Sequence, residues 1–491
     1  MTEEAGSLCQ KETKRRQNVN AHNKNKITAV INRTCLQCGV YRQTALRLAI
    51  TQPVGEPSAE SGNAVNIRLA DTSMALPRQS ITIRYLMQSM YWQIALSLQP
   101  KLITRKHTIM KKTALLTLIF VLSSIAFVNV NAAKKTPREK LIERMTKLQK
   151  KGYMYGHQDD PFYGITWNWD EGRSDTYELV GDYPAVMGFD LGGIELGDSK
   201  NLDSVPFDRM RDEIVKHHER GGIITISWHP RNPLLGTTAW IQKDTVAYNQ
   251  AVEALKQMRQ YDVAKQVADP QHTVRSIIPG GSHHGVFQLW LKRVTDFLAS
   301  LKDKKGNPVP LIFRPYHENS GSWFWWGQDN CSDEEYLALW NMTQDYVNAT
   351  LKESIVWSYS PSASGRWTEQ QWLVRYPGDD RIDLLGVDAY QWGTEEAFVK
   401  ELNAELALIT KLAKERGKLI AMTECGYQNS PDPTWWQRVF KPVIEKYPVC
   451  YLLPWRNYHK EHFGASPAAK TADDFKAWAK QKQFLFLKDI K

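Results

Sequence analysis

The sequence predicts an α/β protein built on a single (β/α)8 TIM barrel, and three observations support this fold class. Eight short apolar runs rich in β-branched residues recur after residue 134, and they lack polar alternation, which is typical of strands buried on both faces of a parallel sheet. Helix-like segments separate these runs. Residues 134–491 also fall within the size range of such barrels. The predicted strands are Tyr153–His157, Ala185–Asp190, Gly222–Trp228, Val309–Pro315, Ser354–Ser360, Leu384–Asp388, Leu419–Thr423 and Cys450–Pro454.

The segments between these strands carry apolar residues at three- and four-residue spacing, as amphipathic helices do. A polar and acidic run from Asn330 to Glu335 suits a helix N-terminus. Most of the additional length lies in an insertion, Pro230–Gly285, between the third strand and its helix. The predicted helices are Phe207–Arg220, Phe287–Leu301, Asp333–Leu351, Thr394–Arg416, Thr434–Lys446 and Ala472–Lys482.

The charge of the chain is distributed unevenly. The net charge is +10, yet residues 1–109 hold 15 basic and 6 acidic residues, whereas residues 134–491 hold 46 basic and 47 acidic residues. The predicted barrel is therefore nearly neutral and lacks the basic surface that nucleic-acid binding requires. We expect a neutral ligand and no nucleic-acid partner.

Tryptophan is concentrated in the predicted barrel. Of the 18 Trp residues only Trp92 precedes residue 134. Trp fills hydrophobic cores, but it also presents a flat apolar ring. Sugar rings have apolar C–H faces that stack on such a surface. The enrichment therefore favours a carbohydrate ligand, with core packing as the alternative.

Residues 110–133 have the three parts of a secretory signal peptide. Two lysines follow Met110, then comes an apolar run from Ala114 to Val128, and then a small-residue cleavage motif near Ala132. The apolar run is shorter than the roughly 20 residues that cross a bilayer. We expect a secreted or periplasmic protein with no membrane span in its mature form.

A basic extension of 109 residues precedes this signal peptide and shows little hydrophobic periodicity. A signal peptide begins a protein, so we interpret residues 1–109 as the product of a wrongly assigned upstream start codon or as a disordered segment. The predicted organisation is therefore an extension (1–109), a signal peptide (110–133) and a barrel domain (134–491).

The mature chain has three cysteines, Cys331, Cys425 and Cys450, and they allow one intramolecular disulfide at most. A disulfide framework is therefore excluded, and a hydrophobic core must stabilise the fold.

Two carboxylates stand out at the ends of predicted strands, where barrels of this class place their catalytic groups. Glu318 follows the fourth strand and Glu424 the seventh, and these strands face each other across a barrel. Glycoside hydrolysis needs such a pair, because one carboxyl protonates the leaving oxygen while the other attacks the anomeric carbon or activates water. A buried ion pair, for example with Arg314, is the alternative. The other residues at strand ends are His157, His229, His317, Asp388, Tyr390 and Trp455.

The segments around both glutamates resemble a known family. Arg314–Gly327, RPYHENSGSWFWWG, resembles the acid/base segment of glycoside hydrolase family 26, the β-mannanase family. Met422–Gly426, MTECG, is similar to its nucleophile segment. The resemblance extends over essentially all of residues 136–490.

This resemblance implies that Glu318 is the acid/base and Glu424 the nucleophile, with Tyr390 hydrogen-bonded to the nucleophile. It also implies retention of anomeric configuration, for which the two carboxyls lie about 5–5.5 Å apart. His229 and His317 would line the subsite of the attacked sugar, and Trp323 and Trp455 would stack on neighbouring sugars. Further candidates for substrate binding are Arg314, Asp388 and Trp240, and for a distal platform Trp167 and Trp169.

The expected function is that of a retaining endo-β-1,4-mannanase, a monomer acting on mannan, galactomannan, glucomannan or manno-oligosaccharides. The family also admits exo-acting mannobiohydrolases, lichenases and β-1,3-xylanases, and barrel loops such as Pro230–Gly285 decide between them. A non-catalytic sugar-binding barrel and a metal-dependent barrel enzyme are alternatives of other classes. No His, Asp and Glu residues show the spacing of metal ligands, so we expect neither metal nor cofactor.

Overall fold

Eight parallel strands close into a barrel in the computed structural model, which describes residues 134–234, 236, 238–241 and 271–491. Each strand pairs with its sequence neighbours, and β1 pairs with both β2 and β8, which closes the cylinder. The strands are β1 Tyr153–Gln158, β2 Val186–Asp190, β3 Ile223–Trp228, β4 Leu311–Pro315, β5 Ile355–Tyr359, β6 Leu384–Tyr390, β7 Leu419–Gly426 and β8 Val449–Pro454. The predicted (β/α)8 fold is confirmed.

The predicted strands differ from the observed ones mainly at β6 and β7, which continue for two and three residues past the predicted ends. All residues of these strands are buried except Tyr390, which is partly buried. Tyr390 and Glu424, which the prediction placed after these strands, therefore lie within them. A short ninth strand, β9 (Phe484–Leu485), also pairs with β1 and was not predicted.

Ten α-helices are found in the described part of the chain. The predicted segments correspond to α3, α5, α6, α8 and α10 and, for Thr434–Lys446, to a π-helical turn, Trp436–Phe440, followed by α9. Helices α1, α2, α4 and α7 were not predicted. The ten are α1 Pro137–Gln149, α2 Asp175–Val180, α3 Phe207–Glu219, α4 Gln271–Ile277, α5 His284–Ser300, α6 Asp333–Leu351, α7 Glu369–Leu373, α8 Glu395–Arg416, α9 Lys441–Ile444 and α10 Ala472–Trp478.

Helix α6 begins where the sequence indicates. The Ser332 side chain accepts a hydrogen bond from the Glu335 amide at 3.2 Å, and the Glu335 carboxylate accepts one from the Ser332 amide at 3.1 Å. This capping box satisfies two amides that the first helical turn leaves free. It also fixes the end of the loop that begins after β4.

Helix α1 closes one end of the barrel. Its buried residues Leu141, Met145 and Leu148 join an apolar cluster built from residues at the start of the strands. Because that end is filled with apolar side chains, only the opposite end, where the strands finish, is left to form a polar site. The strand residues of this cluster include Met154, Val186, Ile223, Ile312, Val356, Leu384 and Leu419.

Cys331, Cys425 and Cys450 are free thiols, and all three are buried. Among the described residues no helix is both long and apolar enough to cross a bilayer. The predicted extension and signal peptide lie outside the described residues, so the domain boundaries at 109 and 133 stay predictions.

Candidate active site

Arg314, Asp388 and Glu424 form the floor of the site, at the ends of β4, β6 and β7. Arg314 Nη1 donates to Asp388 Oδ2 at 2.9 Å, and Nη2 donates to Glu424 Oε1. All three side chains are almost completely buried. Burial raises the pKa of Asp388, against the opposing charge of Arg314. One guanidinium therefore faces two carboxylates in a dry environment, where a charge is tolerated only when it is paired.

A β-bulge places Asp388 and Glu424 side by side. Val387 pairs with Met422, whereas the next residue, Asp388, pairs with Glu424, so that Thr423 is the additional residue. Adjacent residues of a regular strand point to opposite faces. At a bulge this alternation is broken, and Thr423 Oγ1 donates to Asp388 Oδ1 at 2.6 Å while Glu424 contacts Arg314.

Glu424 is held by donors on several sides. Besides Arg314, the Tyr390 hydroxyl donates to Glu424 Oε2 at 2.6 Å, and His317 Nε2 lies 3.6 Å from Oε1. Burial, followed by the charge of Glu424, raises the pKa of Tyr390 well above its usual range. The hydroxyl therefore stays protonated and remains a donor to the carboxylate.

Glu318 lies three residues beyond β4 in a left-handed conformation, with φ of 53°. Its amide donates to the Ser360 carbonyl at 2.8 Å. The indole Nε1 of Trp323 donates to Glu318 Oε2 at 2.6 Å. Burial, with the negative charge of Glu424 as the second cause, raises the pKa of Glu318 to about 7. Glu318 can therefore hold a proton near neutral pH and release it.

Two histidines lie edge to face beside these carboxylates. The Nε2 atoms of His229 and His317 are 3.0 Å apart, and His229 Nδ1 lies 2.7 Å from Asp190 Oδ2. Burial disfavours a charge on His229, but Asp190 more than offsets this and raises the pKa of His229. Burial and then the charge of Arg314 lower the pKa of His317 well below its usual range. The pair thus combines a histidine that favours a proton with one that is neutral.

A metal site was not predicted, and one cluster among the described residues has suitable ligand types. His317, Asp388 and Glu424 offer ligand atoms within 4.8 Å of one another. However, the Arg314 guanidinium already donates to both carboxylates. A cation at this position would face that fixed positive charge, so the donor set does not fit a metal.

Aromatic side chains wall a cleft of about 720 Å³ above this floor. Trp240 stacks on the ring of His229 with 5.2 Å between ring centroids, and Trp455 meets the same ring edge-on at 5.9 Å. Trp323 and Trp240 are 41% and 43% exposed, so part of each indole ring is accessible from the cleft. The cleft is therefore mostly apolar along its walls, and its charged groups lie at the floor, on one flank and at Glu401 of α8.

The structure brings all ten predicted site residues together. Arg314 and His317 lie beneath the cleft rather than in its lining, because their side chains are 3% and 1% exposed. The lining includes the other eight, which are His229, Trp240, Glu318, Trp323, Asp388, Tyr390, Glu424 and Trp455.

Several cleft residues were missed by the sequence analysis. Trp392 is 68% exposed and packs 5.6 Å from the ring of Tyr390. On one flank, Arg456 contacts Asp203 at 3.2 Å and Glu461 at 2.9 Å. Trp392 comes two residues after Tyr390, and Arg456 directly follows Trp455, so proximity to predicted site residues was the available signal. Asp203 and Glu461 carry no comparable signal.

Three other residues singled out in the sequence are not part of this lining. His157 is buried, with Nδ1 at 2.7 Å from Asp160. Trp167 is buried and its indole donates to Asp175 at 2.8 Å, so it offers no free face for a distal platform. Trp169 is 40% exposed.

Comparison with known proteins identifies relatives of this chain. A mannan endo-1,4-beta-mannosidase of Bifidobacterium adolescentis is 27% identical over 382 residues, which are 73% of this chain and 35% of that protein. A mannan endo-1,4-beta-mannosidase of Bacillus subtilis is 26% identical over 286 residues, which are 57% of this chain and 67% of that one. This chain thus spans about a third of the length of the Bifidobacterium protein.

The fold and the sequence agree with a solved structure described as a GH26 beta-mannanase from Bacteroides ovatus. That structure is 41% identical, with a TM-score of 0.65, and the match covers 72% of this chain and 96% of the other. The model of glycosyl hydrolase family 26 matches residues 128–472. The resemblance noted in the sequence is thereby confirmed, and this chain belongs to glycosyl hydrolase family 26.

Proposed function

We propose that this protein is a retaining endo-β-1,4-mannanase in which Glu424 is the nucleophile and Glu318 the acid/base. One observation carries the proposal: two glutamates line the same cleft in opposite environments. Glu318 has a pKa of about 7, as a general acid requires. Glu424 is held by the Arg314 guanidinium and the Tyr390 hydroxyl, which leave it as an oriented acceptor.

In the first step the Glu424 carboxylate attacks the anomeric carbon of the bound mannosyl residue. The bond to the glycosidic oxygen breaks, and Glu318 transfers its proton to that oxygen, so that the leaving chain departs as a neutral alcohol. A glycosyl ester on Glu424 remains. Tyr390 donates to the other carboxylate oxygen throughout and keeps the attacking oxygen oriented.

In the second step water attacks the same carbon, and Glu318, now a carboxylate, accepts its proton. The ester bond breaks and Glu424 regains its negative charge. Two displacements at one carbon retain its configuration. The change of role at Glu318 suits a pKa of about 7, because neither protonation state is strongly favoured near neutral pH.

The cleft lining supports a neutral sugar polymer as the substrate. Trp240, Trp323, Trp392 and Trp455 offer apolar surfaces for the C–H faces of pyranose rings. On the charged flank, Arg456 forms ion pairs with Asp203 and Glu461, so its charge is already balanced by protein groups. The relatives are named mannan endo-1,4-beta-mannosidases, which favours mannan over other neutral glycans. The signal-peptide pattern at residues 110–133 supports secretion or a periplasmic location.

The test is to incubate the purified protein with linear mannan, galactomannan, mixed-linkage glucan and xylan and to follow the release of reducing ends. We expect cleavage of the mannans and a loss of roughly 1000-fold or more in Glu424→Ala. Glu405→Gln is the control, because Glu405 is buried like Glu424 but lies on α8 outside the cleft lining.

Proton NMR of the first product tests retention, since the β-anomer must appear before mutarotation. Azide should also restore turnover of Glu424→Ala and give the α-mannosyl azide. Activity on glucan or xylan alone would overturn the mannan assignment and keep the mechanism. Mannan binding without cleavage would favour the non-catalytic barrel, and an initial α-anomer would exclude the double displacement.

A further inference from the structure

Arg375, outside the cleft, holds the loop that directly follows the proposed acid/base, Glu318. This acid/base loop, residues 319–332, begins directly after Glu318 and ends at α6. Arg375 follows α7 and is 5% exposed. Its guanidinium donates to Asp333 Oδ1 at 2.6 Å and to four main-chain carbonyls of the loop, those of Asn319 at 3.4 Å, Trp326 at 3.2 Å, Gln328 at 3.3 Å and Cys331 at 2.6 Å.

These contacts use the full donor capacity of an arginine side chain. A guanidinium has five N–H donors in a rigid planar fork, and Arg375 makes five hydrogen bonds. Four of them reach the beginning, the middle and the end of one loop. Because the donor is charged, each is stronger than a bond between neutral groups. The Arg375 side chain thus links the two ends and the middle of the loop to one another.

The segment that this loop continues has an unfavourable backbone conformation. Tyr316 and Glu318 have φ values of 51° and 53°, in the left-handed region. Residues other than glycine keep such a conformation only where the surroundings impose it. Arg375 lies 5.2 Å from the ring centroid of Tyr336, whose hydroxyl donates to the Tyr316 carbonyl at 3.0 Å. Arg375 therefore also supports the segment through Tyr336.

The loop carries a direct partner of Glu318. Trp323 lies within it and donates to Glu318 Oε2, while Trp326 donates to the carbonyl of His317 at 2.8 Å. Movement of the loop would therefore displace both the Glu318 carboxyl and its donor. The two hydrogen-bond donors of Glu424, Arg314 and Tyr390, lie on β4 and β6 and take part in none of these contacts.

We propose that Arg375 is a positioning residue, which fixes the Glu318 carboxyl against the leaving oxygen by binding four carbonyls of the acid/base loop. The inference rests on the acid/base role proposed for Glu318. It predicts a specific defect: proton transfer should suffer when Arg375 is replaced, whereas attack by Glu424 should not.

The experiment compares two substrates with the protein and with Arg375→Lys and Arg375→Met. A mannose oligosaccharide needs proton transfer to its leaving oxygen, whereas 2,4-dinitrophenyl β-mannobioside has a leaving group that departs without a proton. We expect kcat/KM for the oligosaccharide to fall by about 10- to 100-fold. For the dinitrophenyl substrate, kcat/KM, which reports the first step alone, should change less than about twofold. The ratio of the two values in one preparation does not depend on the fraction of folded protein.

Arg381→Lys is the matched control, because Arg381 donates to Asp345 at 2.8 Å and not to the acid/base loop. The ratio of kcat/KM on the two substrates should be the same in this variant as in the unchanged protein. Equal losses on both substrates in the Arg375 variants would overturn the positioning role, and so would no loss on either. Inactivity of the unchanged protein on every β-glycan would instead refute the proposed function itself, and the positioning role with it.

Discussion

The indole Nε1 of Trp323 donates a 2.6 Å hydrogen bond to Oε2 of Glu318. This contact favours the ionised carboxyl, whereas burial and the charge of Glu424 favour the protonated one, and together they bring the pKa of Glu318 to about 7. Trp323 is also 41% exposed in the cleft. Trp323 thus has two expected roles: its ring is a platform for a sugar, and its N–H lowers the pKa of Glu318.

Replacement of Trp323 by phenylalanine should separate these roles. Trp323→Phe keeps a ring but removes the N–H that lowers the pKa of Glu318. The pKa should therefore rise, and the acid should stay protonated to higher pH. We expect the basic limb of kcat/KM, measured between roughly pH 5 and 9, to move upward. Trp169→Phe, outside the cleft lining, should leave the profile unchanged. A basic limb that moves downward would contradict the role of this hydrogen bond.

The raised pKa of Glu318 should also reduce stability at alkaline pH. A carboxyl whose pKa is 4.5 when unfolded and about 7 when folded stabilises the folded state less and less as the pH rises from 4.5 to 7. Glu318→Gln mimics the protonated acid. The variant should match the protein at pH 4 and exceed its free energy of unfolding at pH 8 by at most about 3 kcal/mol. Urea denaturation at pH 4 and pH 8 measures the free energy of unfolding of both proteins. If the difference between variant and protein is the same at both pH values, the prediction is wrong.

Removal of the Tyr390 hydroxyl should slow the first displacement, whatever the leaving group. In Tyr390→Phe the Glu424 carboxylate loses a donor at 2.6 Å, and a charged hydrogen bond contributes about 1.5–3 kcal/mol. We expect kcat/KM to fall roughly 10- to 100-fold for mannose oligosaccharides and for the dinitrophenyl mannobioside alike. Tyr447→Phe removes a hydroxyl that donates to the Asn403 carbonyl at 2.9 Å and should be silent. A loss confined to the oligosaccharide would show that Tyr390 acts on the acid instead.

Trp392 is expected to bind substrate rather than to assist the chemistry. It is 68% exposed beside Tyr390 and lines the cleft. Trp392→Ala should raise KM for long mannan chains about tenfold, the equivalent of about 1.4 kcal/mol, with little change in kcat. Leu289→Ala, at a 47% exposed position on α5, controls for the loss of exposed apolar surface. If kcat falls while KM stays constant, the platform role is wrong.

The strands were predicted well because their signal is local. A strand buried on both faces must be apolar throughout, so the apolar runs marked all eight. The apolar runs predicted ends for β6 and β7 that are too early. Asp388 and Glu424 are polar and interrupt the runs, although they still pair with each other in the sheet. Helix α1 was missed because it lies before the first strand and has only three buried residues, Leu141, Met145 and Leu148.

The meeting of the two glutamates in one cleft was predictable for a related reason. Barrel topology places the ends of all strands on one face, so that Glu318 and Glu424, 106 positions apart by their numbers, could be expected to meet in one cleft. Arg375 could not be found in this way. Four of its acceptors are main-chain carbonyls, which every residue has, and no sequence pattern marks which carbonyl an arginine will meet.

The amino-acid sequence was sufficient to predict the barrel and the family and to single out Glu318 and Glu424, because apolar runs, motifs and residue types at strand ends are properties of short segments. The different environments of these two glutamates became apparent only from their three-dimensional contacts. The bulge at Thr423, the left-handed backbone at Glu318 and the short distance from Trp323 to its carboxyl bring together groups from separate elements. Burial, charge and hydrogen bonding act through space over a few ångströms, so a pKa and an orientation are set by tertiary contacts rather than by position in the chain.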